Sequence, residues 1–351
     1  MLTQSNELDF SGQNFYCGID THKKKWAVTI ETDDISLKTF SQNADPQALV
    51  KHLKRKYPGG NFVVGYESGY FGFNLYRLLK SEGIECKVIH PADIPTTHKE
   101  KDQKRDPLDS RKIAKALRSD QVNAIWVPKI SQEQDRKLLR TRRTLTKDQT
   151  RVKNRIKALL QIYGVEYPDV FKQNHSHWSR RFISWLQEIN LKEQSGTESL
   201  QVLVRNLVYL RSEILTVSRH IRRLSETERY KNPCEKLREI PGIGLLTAMI
   251  ILTEIGDITR FRNVNHFRSY IGFIPRANSS GEKDYNGRIT SRSSSHLRPL
   301  LIDSAWSAVR NDSYYLQVFS NYKKSMKPNK AIVRTARKLI NQIYYTLKSI
   351  S

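Results

Sequence analysis

The spacing of apolar residues changes character partway along this chain, and that change limits the folds open to it. Over roughly the first 120 residues, short apolar runs alternate with amphipathic segments. Phe15 to Ile19, Trp26 to Ile30 and Ser36 to Phe40 read as strands. Asp45-Pro46 then opens a helix, the acid at the cap and the proline where a missing N–H is harmless, and Pro58-Gly59-Gly60 closes it. Phe62 to Tyr66 reads as a buried strand, Phe71 to Ser81 as a helix, Cys86 to Ile89 as a strand, and Pro107 to Arg118 as a helix.

Farther on the period becomes helical. Ser131 to Tyr163 contains neither glycine nor proline, and Leu138, Leu145, Val152 and Leu159 recur every seven residues. Leu200, Leu203, Leu207, Leu210, Ile214, Val217, Ile221 and Leu224 alternate spacings of three and four. Such rows are the seam of a coiled coil, here an antiparallel hairpin or a dimer contact. Past Pro233 come an apolar helix, a polar Gly/Ser-rich stretch over Gly281 to Ser295 that reads as loop or hairpin, and helices near His296 to Arg310 and Asn329 to Leu347. The expected class is α/β plus α. A ribonuclease-H-like element order occupies residues 1–125, a coiled-coil linker or dimerisation region 126–232, and a mainly helical domain 233–351.

Charge narrows the partner. Sixty Lys and Arg against 35 Asp and Glu give +25, which favours a polyanion because each neutralised phosphate releases condensed counterions. The first long helix alone carries Arg136, Lys137, Arg140, Arg142, Arg143, Lys147, Arg151, Lys153, Arg155 and Lys157 with few acids between them. Arg140, Arg143, Arg151 and Arg155 are therefore candidate nucleic-acid contacts. The polar N-terminus lacks a signal-peptide core, no run of about 18 apolar residues suggests a membrane span, and Cys17, Cys86 and Cys234 are too dispersed for a disulfide framework or zinc site. A reducing cytoplasm is the expected setting.

Within this basic chain four acids stand where a two-metal site needs them. Asp20 ends the first strand, Glu67 ends the central strand, and Asp106 and Asp109 lie three apart at a helix start, so that both project from one face. Carboxylate oxygens suit Mg²⁺, and Mn²⁺ suits the same ligands. Two such ions clamp the attacking and leaving oxygens of a phosphoryl displacement. Each acid has a plainer reading, as a turn residue or as a first-turn partner of the helix dipole. Leu237 to Ala248 matches a helix-hairpin-helix, in which Gly242 and Gly244 let backbone N–H groups approach a phosphate. Asn278-Ser279-Ser280-Gly281 reads from the residues alone as a turn.

Taken together, Gly18-Ile19-Asp20-Thr21-His22, Tyr66-Glu67-Ser68 and Lys104-Arg105-Asp106-Pro107-Leu108-Asp109-Ser110 resemble the DEDD transposases of bacterial insertion sequences, the insertion-sequence 110 family. Ile240-Pro241-Gly242-Ile243-Gly244, Thr247-Ala248, Glu254-Ile255-Gly256-Asp257, Phe261, Phe267, Tyr270-Ile271-Gly272, Ser280-Gly281, Gly287-Arg288-Ile289-Thr290 and Leu297-Arg298 follow in the family's order. The resemblance implies that Asp20, Glu67, Asp106 and Asp109 bind metal and that residues 233–351 form a transposase domain. It also implies a serine nucleophile at Ser280, with Ser279 adjacent. Further implications are DNA substrates (element ends or a circular junction, and a target), a non-coding bridge RNA as guide, and homodimers pairing into tetramers. Arg288 and Arg292 are implied backbone contacts. One departure stands out: the family's Lys-x-Gly after the Ile-Thr pair is Ser291-Arg292-Ser293 here. Two other readings share these features. A junction-resolvase type of nuclease needs the acids but not Ser280, and a non-catalytic nucleic-acid scaffold needs neither.

Overall fold

The computed structural model describes residues 8–69, 71–94, 106–173, 176–280, 283–290 and 293–351; at 106–107, 276–280 and 283–288 the backbone alone is described. The chain divides into two compact units, Met1–Val127 and Pro128–Ser351.

The first unit is built on a five-stranded mixed sheet. Strands β1 (Asn14–Thr21), β2 (Lys25–Glu31) and β3 (Ser36–Asn43) form an antiparallel meander, and β4 (Asn61–Glu67) and β5 (Glu85–Ile89) add parallel to β1, giving the order β3-β2-β1-β4-β5. Helix α1 (Pro46–Lys56) starts as its sequence demands, with the Asp45 carboxylate accepting from the Gln47 and Ala48 amides at 2.9 and 3.2 Å. Helices α2 (Asn74–Ser81) and α3 (Asp106–Arg118) complete the order read from the sequence. This mixed sheet with flanking helices matches a ribonuclease-H-like fold. Phe15, Ile19, Trp26, Val28, Leu49, Leu53, Tyr66 and Leu79 fill its core.

Helix α3 lies on the sheet where two glycines face each other. Gly18 and Gly65 are neighbours in the β1–β4 register. A Cβ on Gly18 would fall within 3.0 Å of both the Ser110 carbonyl oxygen and the Ala114 nitrogen, and one on Gly65 would stand 2.8 Å from Leu117 Cδ1. Missing side chains thus form a trough into which the helix backbone sinks. The buried Ser110 hydroxyl is 2.9 Å from Thr29 Oγ1 on β2, and Arg118 pairs with the buried Glu31 at 3.2 Å. Since Thr29 is opposite Gly18 and Glu31 is opposite Tyr16, the helix runs antiparallel to β1. Its first turn therefore points toward the C-terminal end of that strand.

In the second unit, the long helices α4 (Ile130–Ile162) and α6 (Gln194–Ser225) pack along each other, with the short α5 (Arg180–Glu188) against α6. Their buried contacts differ from the seven-residue rows. On α4 the buried apolar residues are Leu139, Val152, Ile156 and Leu160, while Leu138, Leu145 and Leu159 are half-buried. Between the ends, Arg142 Nε donates to Ser218 Oγ at 2.8 Å. The hairpin has two cores: one with Phe171, Phe182 and Leu186, the other merged with the C-terminal helices. Contacts from these added elements, absent from a two-helix seam, select which residues are buried.

The remaining helices are α7 (Lys231–Arg238), α8 (Leu245–Ile255), α9 (Val264–Ile271), α10 (Leu297–Asn311), α11 (Ser313–Lys323) and α12 (Pro328–Lys348). Apolar on nearly every side, α8 is the buried member, packed by α4, α6, α7 and α10. A two-stranded antiparallel hairpin pairs β6 (Pro275–Ser280), which precedes the Gly/Ser-rich stretch, with β7 (Lys283–Ile289) inside it.

Candidate active site and nucleic-acid contacts

Parallel pairing of β1 with β4 places Asp20 and Glu67 at adjacent strand ends, one residue beyond the Ile19–Tyr66 pair. The Tyr66 hydroxyl donates to the Gly72 carbonyl at 2.7 Å and accepts from the Tyr76 amide at 3.3 Å, which pins the turn following Glu67. Pairing continues past the strand, where the Ser68 amide donates to Ile89 O at 3.0 Å. Helix α3, antiparallel on the Gly18 trough, begins with Asp106 and Asp109 toward this same edge. Three elements therefore converge on one end of the sheet. Only the backbone position of Asp106 is described.

Two of the acids already have cationic or imidazole neighbours. Asp20 Oδ2 lies 3.2 Å from His22 Nε2, and Asp109 Oδ1 accepts from Lys112 Nζ at 3.1 Å. Both carboxylates are partly covered, at 19% and 26% exposure, so their charges sit in a medium less screening than water. Among the described residues no group of three or more His, Cys, Asp or Glu side chains stands ready to hold a metal ion. The chemistry of the donor set, carboxylate oxygens on one sheet edge, nevertheless suits a hard divalent cation.

The other predicted site residues lie in the second unit. Ser280 ends β6, and Ser279 pairs with Asp284. The hairpin is tied at its root by Arg298, whose guanidinium donates to both the Gly272 and Thr290 carbonyls at 2.5 Å. Arg288 has only its backbone described, on β7, and Arg292 lies outside the described residues. Gly242, at φ +82°, packs on α10: a Cβ there would meet the Ser304 carbonyl and stand 2.8 Å from the Ala308 nitrogen. Gly244 begins α8 with nothing within 4 Å of its missing side chain. The close approach at Gly242 serves the core, while the space at Gly244 is open.

The arginines of α4 divide similarly. Arg140 makes a bidentate pair with the buried Glu254, at 2.7 and 2.8 Å, and this bond raises the guanidinium pKa above its ordinary value. Arg143 is 2.5 Å from His296 Nδ1 and donates to Ser295 O at 3.0 Å. Arg151 pairs with Asp148 on its own helix, and Arg155 is exposed. Sequence reading missed the acceptor Glu254 as a partner for Arg140, because nothing in the spacing of residues 114 positions apart announces the contact.

Two family models match the chain: a DEDD transposase model of the IS110 type over residues 17–165, and one described as the transposase IS116/IS110/IS902 family over residues 234–320. The chain belongs to the IS110-type DEDD transposases. It is 27% identical over 297 residues to the transposase-like protein y4qE of Sinorhizobium fredii, covering 83% of this chain and 71% of that one. It is 28% identical over 240 residues to the transposase for insertion sequence element IS1111A of Coxiella burnetii, covering 67% and 63%. The transposase for insertion sequence element IS1533 of Leptospira borgpetersenii is 25% identical over 300 residues, covering 83% and 84%. Family membership supports a transposase or recombinase role on DNA. Among the described residues no helix is long and apolar enough to cross a membrane.

Proposed function

We propose that this transposase recombines insertion-sequence DNA with a metal-binding acid edge and a serine nucleophile. The convergence of Asp20, Glu67 and the first turn of α3 on one sheet end carries this reading. Asp20, Glu67, Asp106 and Asp109 hold Mg²⁺ or Mn²⁺, which when bound supplies positive charge against the phosphate undergoing exchange. His22 and Lys112 are the imidazole and ammonium neighbours of Asp20 and Asp109 at that sheet end.

Ser280 Oγ attacks the scissile phosphorus and loses its proton to solvent as the new P–O bond forms. The bond from phosphorus to one DNA oxygen breaks, and that oxygen leaves with the electron pair and takes up a proton. The resulting phosphoserine ester keeps the bond energy. Attack by a hydroxyl of another strand reverses the sequence, joins the DNA and regenerates the serine.

The rest of the chain serves binding and assembly. Residues 126–232 act as a coiled-coil dimerisation region. The exposed pairs Val202 and Tyr209, and Val208 and Leu215, each seven apart on α6, favour a helical partner. Dimers pair into tetramers in the bacterial cytoplasm, on nucleoid DNA. The Gly244 turn in a helix-hairpin-helix, with Arg143, Arg151, Arg155, Arg288 and Arg292, contacts nucleic-acid backbones. Sequence choice falls to base pairing with a bridge RNA that recognises donor and target DNA.

A denaturing gel with labelled DNA and Mg²⁺ tests the chemistry. The wild type gives a covalent protein–DNA adduct, Ser279→Ala retains it, and Ser280→Ala lacks it; normal recombination by Ser280→Ala refutes the nucleophile. Glu67→Gln binds DNA but forms no adduct. Sequencing RNA that co-purifies with the protein tests the guide, and the absence of any element-derived RNA contradicts it.

A further inference from the structure

Residues 313–351 carry eight Lys or Arg and no Asp or Glu. On α12 these charges sort by face. Ala331, Ile332, Thr335, Ala336, Leu339, Ile340, Ile343 and Leu347 are buried against the C-terminal core. Lys330, Arg334, Lys338, Gln342, Tyr345 and Lys348 are exposed, with Arg337 and Asn341 half-buried beside them. At about 1.5 Å rise per residue this cationic face extends roughly 27 Å.

A cleft of about 240 Å³ opens along it, lined by Arg268 of α9 with Tyr322, Arg334, Arg337, Lys338 and Asn341. Four cations and no carboxylate meet there. Arg268 donates to the amide oxygens of Asn341, at 2.8 and 2.5 Å, and of Asn265, at 2.7 Å. These neutral partners orient the guanidinium without cancelling its charge. Burial, and then the charge of Arg337, holds the Arg268 pKa below its usual value. Among the described residues no carboxylate lies within ion-pair distance of Arg268, Arg334, Arg337 or Lys338. Elsewhere arginines such as Arg118, Arg140, Arg151 and Arg229 do have acidic partners. Gathering like charges this closely is unfavourable unless an anion joins them. Lys338 and Asn341 also line an adjoining cleft of about 500 Å³ that reaches Pro241 and Tyr314. That cleft is mixed in charge, with Asp312 beside Lys338, so the acid-free basic face ends at Lys338 and Asn341.

We propose that the exposed face of α12, with Arg268 of α9, is a contact surface for a nucleic-acid sugar-phosphate backbone, held without regard to base sequence. It rests on the reading of this chain as a nucleic-acid recombinase only for the identity of the polyanion, and needs neither the acid edge nor Ser280. Arg334, Arg337 and Lys338 meet successive phosphates, Arg268 and Asn341 fix the middle of the cleft, and Tyr345 offers an exposed ring beside the strand.

The test is equilibrium binding of the full chain to a fluorescent DNA duplex and to an RNA duplex of the same sequence, across a salt series. Each lost phosphate contact lowers the log–log salt slope by about 0.9, about an eightfold loss at 0.1 M salt. Arg334→Gln with Arg337→Gln is expected to weaken binding roughly 10- to 60-fold and lower the slope by about 1 to 2, with unchanged circular dichroism. Lys172→Gln with Lys192→Gln, which removes two exposed charges far along the same unit, is expected to change affinity less than about threefold. A loss confined to one polymer assigns the surface to that polymer, and a loss with both assigns it to the shared backbone. Wild-type slopes for both polymers in the α12 variant, or an equal loss in the control variant, overturn the proposal. Either result leaves the acid and serine assignments to the adduct assay.

Discussion

Replacing Gly18 by alanine adds one methyl group at the point where α3 rests on the sheet. That methyl would lie within 3.0 Å of the Ser110 carbonyl oxygen and the Ala114 nitrogen, and 3.1 Å from the Ala114 Cα. All three are backbone atoms, so no side chain can turn away. Relief requires the helix to retreat by roughly 1 Å, with an overpacking cost of about 1–3 kcal/mol. At roughly 4 °C per kcal/mol for a unit of this size, the Tm falls by about 4–12 °C. The retreat also breaks the Ser110–Thr29 bond and carries Asp106 and Asp109 away from the ends of β1 and β4. A displacement of about 1 Å at reacting groups costs on the order of 100-fold in rate. Strand exchange measured below the lowered Tm should therefore fall about 100-fold, while DNA affinity stays near wild type. Gly69→Ala is the control, because its nearest contact would be the Glu67 carbonyl at an ordinary 3.8 Å. Wild-type exchange and Tm in Gly18→Ala would refute the trough as the device that places the acids.

Removing Glu254 by Glu254→Ala strands Arg140 and Arg136 against a buried helix. With Arg140 two-fifths exposed, the loss belongs near the lower end of about 3–5 kcal/mol, read by urea unfolding, and a loss below about 1 kcal/mol would contradict the assignment. Acid should also weaken the fold. Burial, then Lys38 and its neighbours, lowers the His52 pKa, and burial is the chief cause of the lowered His296 pKa. The unfolded chain then takes up protons first as pH falls through about 6.5. The contribution from these neutral rings is present above that pH and is lost below it. Melting between pH 7.5 and 5.5 should show Tm falling, with a shallower fall in His52→Gln; an identical profile in that variant would contradict the prediction.

The N-terminal sheet was legible because its strands are short apolar runs separated by strong breakers, and because Asp45-Pro46 marks a helix start unambiguously. The candidate acids were visible as strand and helix ends. Their convergence depends on something a residue list does not display, the pairing of Gly18 with Gly65 beneath α3. Heptad spacing identified α4 and α6 but misplaced part of the buried line, since α8 and the aromatic cluster around Phe182 compete for the same faces. Helix α11 was missed: its serine, tyrosines and lysines present a weak apolar stripe, and Asp312 capping the Tyr315 amide marks its start. Strand β7 lies in the stretch read only as loop or hairpin, and the Asn278-Ser279-Ser280 end of β6 was read as a turn, because glycine, serine and other polar residues mask a strand pattern that pairing reveals. Arg140 looked like a solvent-facing member of a charge run, and only the tertiary contact with Glu254 distinguishes it from Arg155.

Anomalous diffraction from crystals grown with Mn²⁺ bears most directly on whether these carboxylates are a metal site. A peak is predicted within ligand distance, about 2.0–2.4 Å, of oxygens from both Asp20 and Glu67, with Asp106 or Asp109 completing the shell. That peak should vanish in Glu67→Gln. Manganese bound elsewhere, with Asp20 and Glu67 facing solvent and no density between them, would contradict the account.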